Sequence, residues 1–335
     1  MARLIVDYNG RGLEGEIARL HNSLARAYGR ECLSEPLDPS LVRYWFDDPE
    51  YEPEMFAAVE TDSGGLAGYS WVWVNVDEGP APLSWVNVSL DPGLPWSEMR
   101  KVAYILLSWA RHSLESWQEA RGVVELRLGP MGNPIQKVVY SVAGCGREGE
   151  KVGGYLMLSP EGGVEAGVPP GYVISEARPD RSKDDARRLV EVFNDAFSIY
   201  EDYWPWRLER AVEYYRELFK RREAIVLLAR DRAGRPAGFI EAYIHPTLCG
   251  DKAGYISLVA VKREHQGRGL GSSLLSKAEK WLKSRGASST YLYAIPRSST
   301  LYLKLGYKII ETSIKTRIPT YCLPQTPTSG LKPWT

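Results

Sequence analysis

Two stretches of the chain carry the same alternation of apolar and polar positions. Each has a short apolar run, a turn that contains glycine, an Ala-Gly step and a longer alternating run, which is typical of a β-hairpin. They lie over residues 56–76 and 225–245. The interval from Gly68 to Leu90 nearly matches that from Gly238 to Val261. The pattern therefore predicts one structural unit that occurs twice.

The segments that follow each hairpin also correspond. In both halves the pattern predicts a further strand, a long amphipathic helix and another strand, and helices precede both hairpins. Unrelated α/β domains share such alternation, so the duplication depends on the agreement in order and spacing. The predicted segments are residues 84–90, 97–120 and 123–128 in the first half, and 255–261, 269–285 and 290–295 in the second. We predict a first domain over residues 1–160, a linker rich in glycine and proline over 161–170, a second domain over 171–318 and a tail over 319–335.

A turn with three glycines follows the predicted strand that ends at Val261. Gly267, Gly269 and Gly271 lack Cβ atoms, so the main chain can bend sharply and an anion can approach its N–H groups. The first N–H groups of a helix have no internal partner and lie at the positive end of the helix dipole. The turn therefore predicts a phosphate-binding cradle. The corresponding residues 91–100 of the first half lack these glycines and contain two prolines, so we expect no such cradle there.

The residues of this turn resemble the GNAT superfamily of acyl-CoA-dependent N-acyltransferases. The family motif Arg/Gln-x-x-Gly-x-Gly/Ala is matched by Gln266, Gly269 and Gly271, and a second family signature is matched by residues 301–307. The resemblance in motifs covers residues 172–319, whereas the first half is similar only in the order of its elements. A Rossmann turn, a Walker loop and a purely structural helix cap are the alternatives. The glycines follow several strands and no lysine follows Gly271, which disfavours the first two.

The resemblance implies an α/β fold with mixed sheets, built from two tandem GNAT-like domains. Each would have a mostly antiparallel sheet, helices on both faces and splayed parallel central strands. The first domain would be a degenerate copy that lacks the pyrophosphate loop for coenzyme A. This tandem arrangement resembles that of the mycothiol synthases, and it does not identify a substrate.

The resemblance also implies an N-acetyltransferase that uses acetyl-CoA and in which an amine attacks the thioester directly in a ternary complex. The pyrophosphate would bind main-chain amides of the turn, and the pantetheine arm would pair with an open strand edge. An N–H near Val259 or Ala260 would stabilise the thioester oxygen. Lys262, Arg263 and Arg268 would add positive charge, unless they are ordinary solvated residues. The implied cofactor-binding residues are Leu258, Val259, Ala260, Val261, Gln266, Gly267, Arg268, Gly269, Leu270, Gly271 and Ser272.

Two residues are candidates for proton transfer. Tyr302 matches the family tyrosine that can protonate the departing thiolate, and its alternative role is aromatic packing. The identity of the general base is open. Glu241 and His245 lie four residues apart on one predicted strand and share a face, and Glu241 is the candidate. The alternative for Glu241 is a strand residue that faces solvent. Many relatives carry an asparagine at the position of Ile295, so that contact to the cofactor is in doubt.

Residues 200–206 contain four aromatic and two acidic side chains, in a segment that usually sets substrate specificity in the family. They predict either a lid that recognises a cationic or amphipathic amine, or an apolar surface for the first domain. The candidate substrate-binding residues are Tyr203, Trp204, Trp206 and Tyr255.

Composition narrows the class of protein. The 335 residues have a formal net charge of +0, which argues against a broad nucleic-acid-binding face. No apolar run is long enough to span a bilayer, and the start of the chain lacks a signal-peptide pattern. The four cysteines form no C-x-x-C pair, so we expect no metal site and a reducing, cytoplasmic environment.

The expected partners are an amine-bearing small molecule or a protein or peptide substrate, without nucleic acid or membrane, and a homodimer is open. Two other functions are alternatives to an enzyme. One is a non-catalytic sensor or scaffold that binds acyl-CoA. The other is a partner-binding protein that uses the tryptophans of the first half.

Overall fold

The computed structural model describes residues 3–6, 12–47, 55–62, 64–74, 84–116, 123–130, 134–144, 150–200, 203 and 205–325. The chain divides into two compact units. The first contains Met1–Gly153 together with Thr312–Thr335, and the second contains Gly154–Glu311. Within the described ranges, no helix has the length and apolar character needed to cross a membrane.

The first unit is a mixed sheet with helices. Its sheet has the strand order β1-β2-β3-β4-β5-β12. Among the described residues of these strands, β4 and β5 pair in parallel and the other neighbours are antiparallel. Its elements are β1 (Arg3–Val6), α1 (Glu14–Ala27), α2 (Pro39–Phe46), β2 (Phe56–Glu60), β3 (Leu66–Val74), β4 (Ser84–Leu90), α3 (Trp96–Ser116), β5 (Val123–Pro130), α4 (Pro134–Val142) and most of β12 (Lys308–Pro319).

The second unit repeats this plan. Its sheet has the order β6-β11-β10-β9-β8-β7. In the part of this unit that the structure describes, β10 and β11 pair in parallel and the other neighbours are antiparallel. Its elements are most of β6 (Glu150–Leu158), β7 (Val173–Glu176), α5 (Lys183–Phe197), α6 (Leu208–Arg221), β8 (Glu223–Arg230), β9 (Pro236–Pro246), β10 (Lys252–Val261), α7 (Leu270–Ser284), β11 (Ser289–Ala294) and α8 (Pro296–Lys304).

The internal repeat is confirmed by strand register. Gly68 pairs with Leu90 between β3 and β4, and Gly238 pairs with Val261 between β9 and β10. Both units therefore place their glycine opposite the last residue of the strand that precedes the long helix. The predicted fold class, with a mostly antiparallel sheet and one parallel central pair in each copy, is confirmed.

Helices cover both faces of the second sheet, which explains why β8 is apolar without alternation. Leu227 packs into the cluster that contains α7, while Val226 and Leu228 pack into the cluster that contains α5 and α6. Helix α5 begins after Ser182, whose hydroxyl accepts a hydrogen bond of 3.1 Å from the Asp185 N–H. Ser182 is therefore the N-cap of this helix.

The division into units differs from the predicted domain boundaries at residues 160 and 318. Residues 313–319 of β12 pair with β5 in the first unit, and residues 155–158 of β6 pair with β11 in the second. The segment predicted as a linker packs on α7, because the Val164 N–H donates to the buried Glu279 carboxylate.

Three of the cysteines lie within the described residues. Cys32, Cys249 and Cys322 are disulfide-bonded. These bonds are at odds with the reducing environment that we expected from the cysteines. The spacing along the chain gives no sign of the bonds, since disulfide partners meet only in the fold.

Candidate functional site

The predicted phosphate cradle is a left-handed turn that leads into α7. Gly267 has φ of 75° and Gly269, the N-cap residue, has φ of 82°, a region that favours glycine over all other residues. No side chain caps the helix, and a Cβ on Gly267 would meet nothing within 4 Å. The first N–H groups of α7 therefore begin at an uncrowded main-chain turn, as a bound anion requires.

Gly271 lies one residue inside α7 and is flanked by two elements. A Cβ at this position would lie 3.7 Å from Leu301 Cδ2 on α8 and 3.9 Å from Val261 Cγ2 on β10. These are ordinary contact distances, so an alanine would fit whereas a longer side chain would have to enter the cradle. The turn, the end of β10 and the middle of α8 thus meet at one point.

Strand β10 separates from β11 just before this turn. The parallel pairing runs from Ala253 to Ile256 and then stops, while β10 continues to pair with β9 as far as Val261. The strands diverge after a register shift between Ile256 and Leu258. Within this fully described part of the sheet, the β10 edge over residues 258–261 has no neighbouring strand on the β11 side. This is the splay that we predicted.

Backbone direction distinguishes the residues of that edge. The Lys262 N–H donates to the Ala237 carbonyl on β9, so Ala260, two residues earlier, also directs its backbone groups to β9. Val259 and Val261 direct theirs to the open side, and the Val261 carbonyl accepts a hydrogen bond of 2.9 Å from Gln266 Nε2. Of the two predicted oxyanion donors, Val259 therefore has the suitable N–H.

The cations near the turn do not all face the cradle. Lys262 Nζ forms an ion pair with Glu191, and Arg263 forms one with Asp195, both on α5. Arg268 donates a hydrogen bond of 3.3 Å to the hydroxyl of Tyr172. The positive character of the site therefore comes mainly from main-chain amides and the helix dipole.

Tyr302 lies on α8 directly after Leu301, the residue that flanks Gly271. Its side chain is buried, and its ring contacts that of Tyr307 with 5.6 Å between centroids. Burial, with a contribution from Tyr200, raises the pKa of Tyr302 to about 12. The phenol therefore holds its proton at neutral pH and is available as a proton donor.

Glu241 lies on β9 opposite Leu258, and its side chain is 0% exposed. The interpretation that it faces solvent is therefore wrong. Its Oε1 accepts hydrogen bonds from Ser257 Oγ at 2.5 Å and from the Tyr214 hydroxyl at 2.6 Å. Burial raises the pKa of Glu241 above its ordinary value, and these two donors act in the opposite direction. Its Oε2 is buried and makes no hydrogen bond of normal geometry, although the buried Tyr215 hydroxyl also acts on this carboxylate and lowers its pKa.

Both ring nitrogens of His245 are hydrogen-bonded within the fold. Its Nε2 lies 2.9 Å from the Tyr291 hydroxyl and its Nδ1 lies 2.8 Å from the Pro246 carbonyl. Because a carbonyl only accepts, Nδ1 carries the proton and Nε2 accepts from tyrosine. Tyr255, predicted to bind substrate, packs its ring 4.9 Å from that of Tyr291 and 5.4 Å from that of Tyr243.

The predicted substrate segment is described only in part. Trp204 and the acidic residues 201–202 lie outside the described residues. Trp206 packs its ring 5.8 Å from that of Tyr214, the residue whose hydroxyl contacts Glu241. Tyr203 lies farther out, 6.5 Å from the Phe193 ring. An aromatic group of α5 and α6 thus adjoins the buried carboxylate.

Sequence reasoning missed two polar residues of this unit. Tyr214 gives no local signal, because its neighbours on α6 are also aromatic or charged. Glu279 does give one, since it lies on the apolar face of α7 between Leu275 and Leu282. Its carboxylate accepts from Ser159 Oγ at 2.7 Å and from the Tyr307 hydroxyl. Among the residues that the structure describes, no group of three or more His, Cys, Asp or Glu could hold a metal ion.

A mixed sheet whose parallel central strands diverge beside a glycine-capped helix is the arrangement expected of a GNAT fold. The second unit has both features, and the first repeats the sheet without the glycine cap. Residues 189–307 match the model of the Acetyltransferase (GNAT) family. The chain therefore carries a GNAT acetyltransferase domain over these residues, which include the cradle, Glu241 and Tyr302.

Known proteins resemble this chain in sequence over part of its length and in fold over nearly all of it. A mycothiol acetyltransferase of Stackebrandtia nassauensis is 32% identical over 134 residues, which are 39% of this chain and 43% of that protein. The chain thus spans less than half the length of this relative.

Two solved structures extend the likeness to the whole chain. A GCN5-related N-acetyltransferase from Sphaerobacter thermophilus has a TM-score of 0.64 at 19% identity, and the match covers 99% of this chain and 98% of that one. A tandem GNAT protein from the clavulanic acid biosynthesis pathway has a TM-score of 0.67 at 16% identity, covering 96% and 99%. At this identity the likeness is one of fold, and it supports a tandem GNAT architecture.

Proposed function

We propose that the second unit transfers an acetyl or related acyl group from acetyl-CoA to a primary amine, by direct attack within a ternary complex. The observation that carries this proposal is the course of β10, which leaves β11 after Ile256 and leads into the glycine turn before α7. This edge offers main-chain groups to an extended amide-bearing arm, and the turn offers N–H groups to a pyrophosphate. The similarity to a mycothiol acetyltransferase supports acetyl as the acyl group.

The cofactor-binding residues proposed are those of the edge and the turn. Residues 258–261 would hold the pantetheine arm, and residues 266–272 would hold the pyrophosphate through their amides. When bound, acetyl-CoA supplies a thioester carbonyl that an amine can attack. The Val259 N–H lies on the open side of the strand, where it would stabilise negative charge on that oxygen.

Glu241 would act as the general base and Tyr302 as the general acid. Glu241 accepts the proton that the amine loses as its nitrogen bonds to the carbonyl carbon. Its Oε2, which makes no hydrogen bond of normal geometry, is the atom suited to this. Tyr302 donates its proton to sulfur as the carbon–sulfur bond breaks. Glu241 lies opposite Leu258, and the three residues after Leu258, about 10 Å of strand, lead to Val261, which flanks Gly271 of the turn.

The aromatic residues around Glu241 would form the acceptor pocket. Trp206, Tyr203 and Tyr255 are the described members of the predicted set, and Tyr214 joins them. Rings beside a carboxylate favour a positively charged or amphipathic amine, which would lose its proton on binding. Both a small molecule and a peptide amine satisfy these conditions.

Two measurements test the proposal. Acetyl-CoA should raise the melting temperature of the full chain, because a ligand that binds only the folded state stabilises it. Thiol release should then depend on an added amine, and Glu241→Gln should lower kcat/KM about a hundredfold or more. Glu213→Gln, at an exposed position on α6, is the matched control.

The outcomes distinguish acyl transfer from a non-catalytic acyl-CoA-binding function. A thermal shift without thiol release for any amine in a broad panel would support the sensor or scaffold function and overturn acyl transfer. The absence of a shift at millimolar acetyl-CoA would overturn both.

A further inference from the structure

The first unit contains a pocket of about 340 Å³ beside α1, within the size range of small-molecule sites. Side chains from α1 and the residues after it, and from α2, β3, β4 and α4, line this pocket. Aromatic rings form much of its wall. The ring-bearing lining residues are His21, Tyr28, Trp45, Tyr69 and Trp71.

The rings of the wall stand at steep angles to one another. Those of Trp45 and Trp71 meet at 75° with 6.2 Å between centroids, and the imidazole of His21 meets Trp45 at 70°. Two ring planes at such an angle form a corner, in which a flat ligand stacks on one ring and meets the other edge to face. The wall therefore suits a planar aromatic ring better than a flexible chain.

The pocket offers no uncompensated charge to a ligand. Arg30 is the one charged side chain among the described lining residues, and it is already engaged, because its guanidinium lies over the Tyr28 ring, 5.8 Å from the centroid, and has further partners. Burial lowers the pKa of His21, and the positive charge of Arg30 lowers it further, so the imidazole is neutral at pH 7. An ion would lose its hydration here without gaining a counter-charge, so the pocket favours an uncharged ligand.

Three uncharged polar side chains of the wall are available to such a ligand. The imidazole of His21, the carboxamide of Asn87 and the hydroxyl of Ser34 make no hydrogen bond to the part of the chain that the structure describes, and all three are half-buried. The hydroxyl of Ser89, in contrast, acts on that of Tyr69. A neutral imidazole and a carboxamide each present both a donor and an acceptor. The matching ligand therefore also carries both.

The corresponding place in the second unit is charged. The cross-strand pair of Trp71 and Asn87 lies three residues from the paired Gly68 and Leu90, and by the same count it corresponds to the pair of Glu241 and Leu258. The first unit thus has a neutral pair where the second has its buried carboxylate. A tryptophan cannot act as a proton acceptor. This copy therefore has a cavity without a base.

The phosphate cradle is also missing here. Where the second unit has its left-handed glycine turn, the first has residues 91–95, in which two prolines lack N–H groups. A coenzyme A pyrophosphate would find fewer main-chain donors at this turn. We therefore expect a ligand that is smaller than coenzyme A and that binds through the pocket alone.

We propose that this pocket binds a small uncharged ligand with a flat aromatic ring and a hydrogen-bonding edge that both donates and accepts, as an aromatic amide does. The ring lies in the corner between Trp45 and Trp71, where flat groups gain the most contact. The edge of the ligand hydrogen-bonds with His21 and Asn87, whose polar groups are otherwise without protein partners among the described residues. The site binds its ligand without transferring a group.

Matched sets of probes test this proposal on the full chain by ligand-observed NMR. One set is benzamide with benzoate, benzylamine and cyclohexanecarboxamide, and the other is indole-3-carboxamide with indole-3-carboxylate and tryptamine. We expect at least one aromatic amide to bind, and its acid and amine to bind about tenfold more weakly or not at all, because they carry a charge into an uncharged pocket. The non-planar cyclohexanecarboxamide should bind more weakly than benzamide. Binding of neither aromatic amide, or of an acid, an amine or cyclohexanecarboxamide as strongly as the matched amide, would overturn the proposal.

Variants locate the binding. His21→Leu and Asn87→Leu each remove a hydrogen-bonding group from the wall and should weaken amide binding about tenfold. His112→Leu, at an exposed position on α3, is the matched control and should leave it unchanged. Loss in neither pocket variant, or equal loss in His112→Leu, would contradict the assignment to this pocket.

A variant of the second unit separates this site from the proposed transferase function. Gly271→Glu alters the proposed acetyl-CoA site, and amide binding should be unchanged in it. Loss of amide binding in Gly271→Glu would place the ligand in the second unit and overturn the proposal. Failure of acyl transfer itself appears instead as the absence of thiol release, which leaves amide binding unaffected.

Discussion

The hydroxyl of Tyr214 donates a 2.6 Å hydrogen bond to Oε1 of Glu241, and so connects a helix residue that is 42% exposed to a strand carboxylate that is fully buried. The Ser257 hydroxyl donates to the same oxygen. Both contacts stabilise the charged form of a carboxyl whose pKa burial raises. The balance between burial and the hydroxyls of Ser257, Tyr214 and Tyr215 therefore sets the pH at which Glu241 can accept a proton.

Tyr214→Phe should shift the acid limb of the pH profile of kcat/KM to higher pH. The base must be ionised to act, so activity falls as the pH drops through the pKa of Glu241, which lies above the ordinary 4.5. Removal of one donor to the carboxylate raises that pKa further. The loss of activity should thus be greatest at low pH and smallest at high pH, measured by thiol release.

Ser257→Ala is an independent variant that should shift the limb in the same direction. A uniform loss of activity at all pH values in both variants would mean that these hydroxyls do not act through the ionisation of Glu241. Tyr321→Phe, at an exposed position of the first unit, should leave the profile unchanged.

Tyr302→Phe should slow turnover while it preserves the affinity for acetyl-CoA. The variant removes only a hydroxyl whose proton we assign to the leaving thiolate, and the ring contact with Tyr307 is retained. We expect kcat to fall by at least about tenfold with little change in the dissociation constant, measured by calorimetry. A parallel loss of binding and turnover would indicate instead that Tyr302 has a packing role.

Gly271→Glu should abolish acetyl-CoA binding, because its side chain would place bulk and negative charge in the cradle. Gly271→Ala is the matched control, since its Cβ would meet Leu301 and Val261 at ordinary contact distances. The alanine variant should bind nearly as the natural protein does. If the glutamate variant binds acetyl-CoA normally, the proposed position of the pyrophosphate is wrong.

The cradle was predictable because its cause is local. Only glycine adopts the φ values of residues 267 and 269 readily, and a strand before and a helix after them are visible as changes in hydrophobic period. The turn itself therefore needs no knowledge of distant contacts. The divergence of β10 from β11, in contrast, was expected only because of the resemblance to the family.

The environment of Glu241 was not predictable in this way. A strand covered on both faces has no polar side, so alternation does not show where its one glutamate points. Its donors come from α6 and from a register shift in β10, which the sequence does not display. The pairing of β12 with β5 was not predictable either, because residues nearly two hundred positions apart meet only in the folded chain.

Glu279→Ala should destabilise the second unit by about 3 kcal/mol, since it leaves buried donors without an acceptor. Those donors are Ser159 Oγ, the Val164 N–H and the Tyr307 hydroxyl. Glu279→Gln keeps one acceptor and should cost less. Glu165→Ala removes an exposed ion pair with Lys280, which lies on α7 next to Glu279. This variant should change stability by less than about 1 kcal/mol. Urea unfolding compares the three variants, and equal midpoints for Glu279→Ala and Glu165→Ala would show that the buried carboxylate does not hold residues 159–164 on α7.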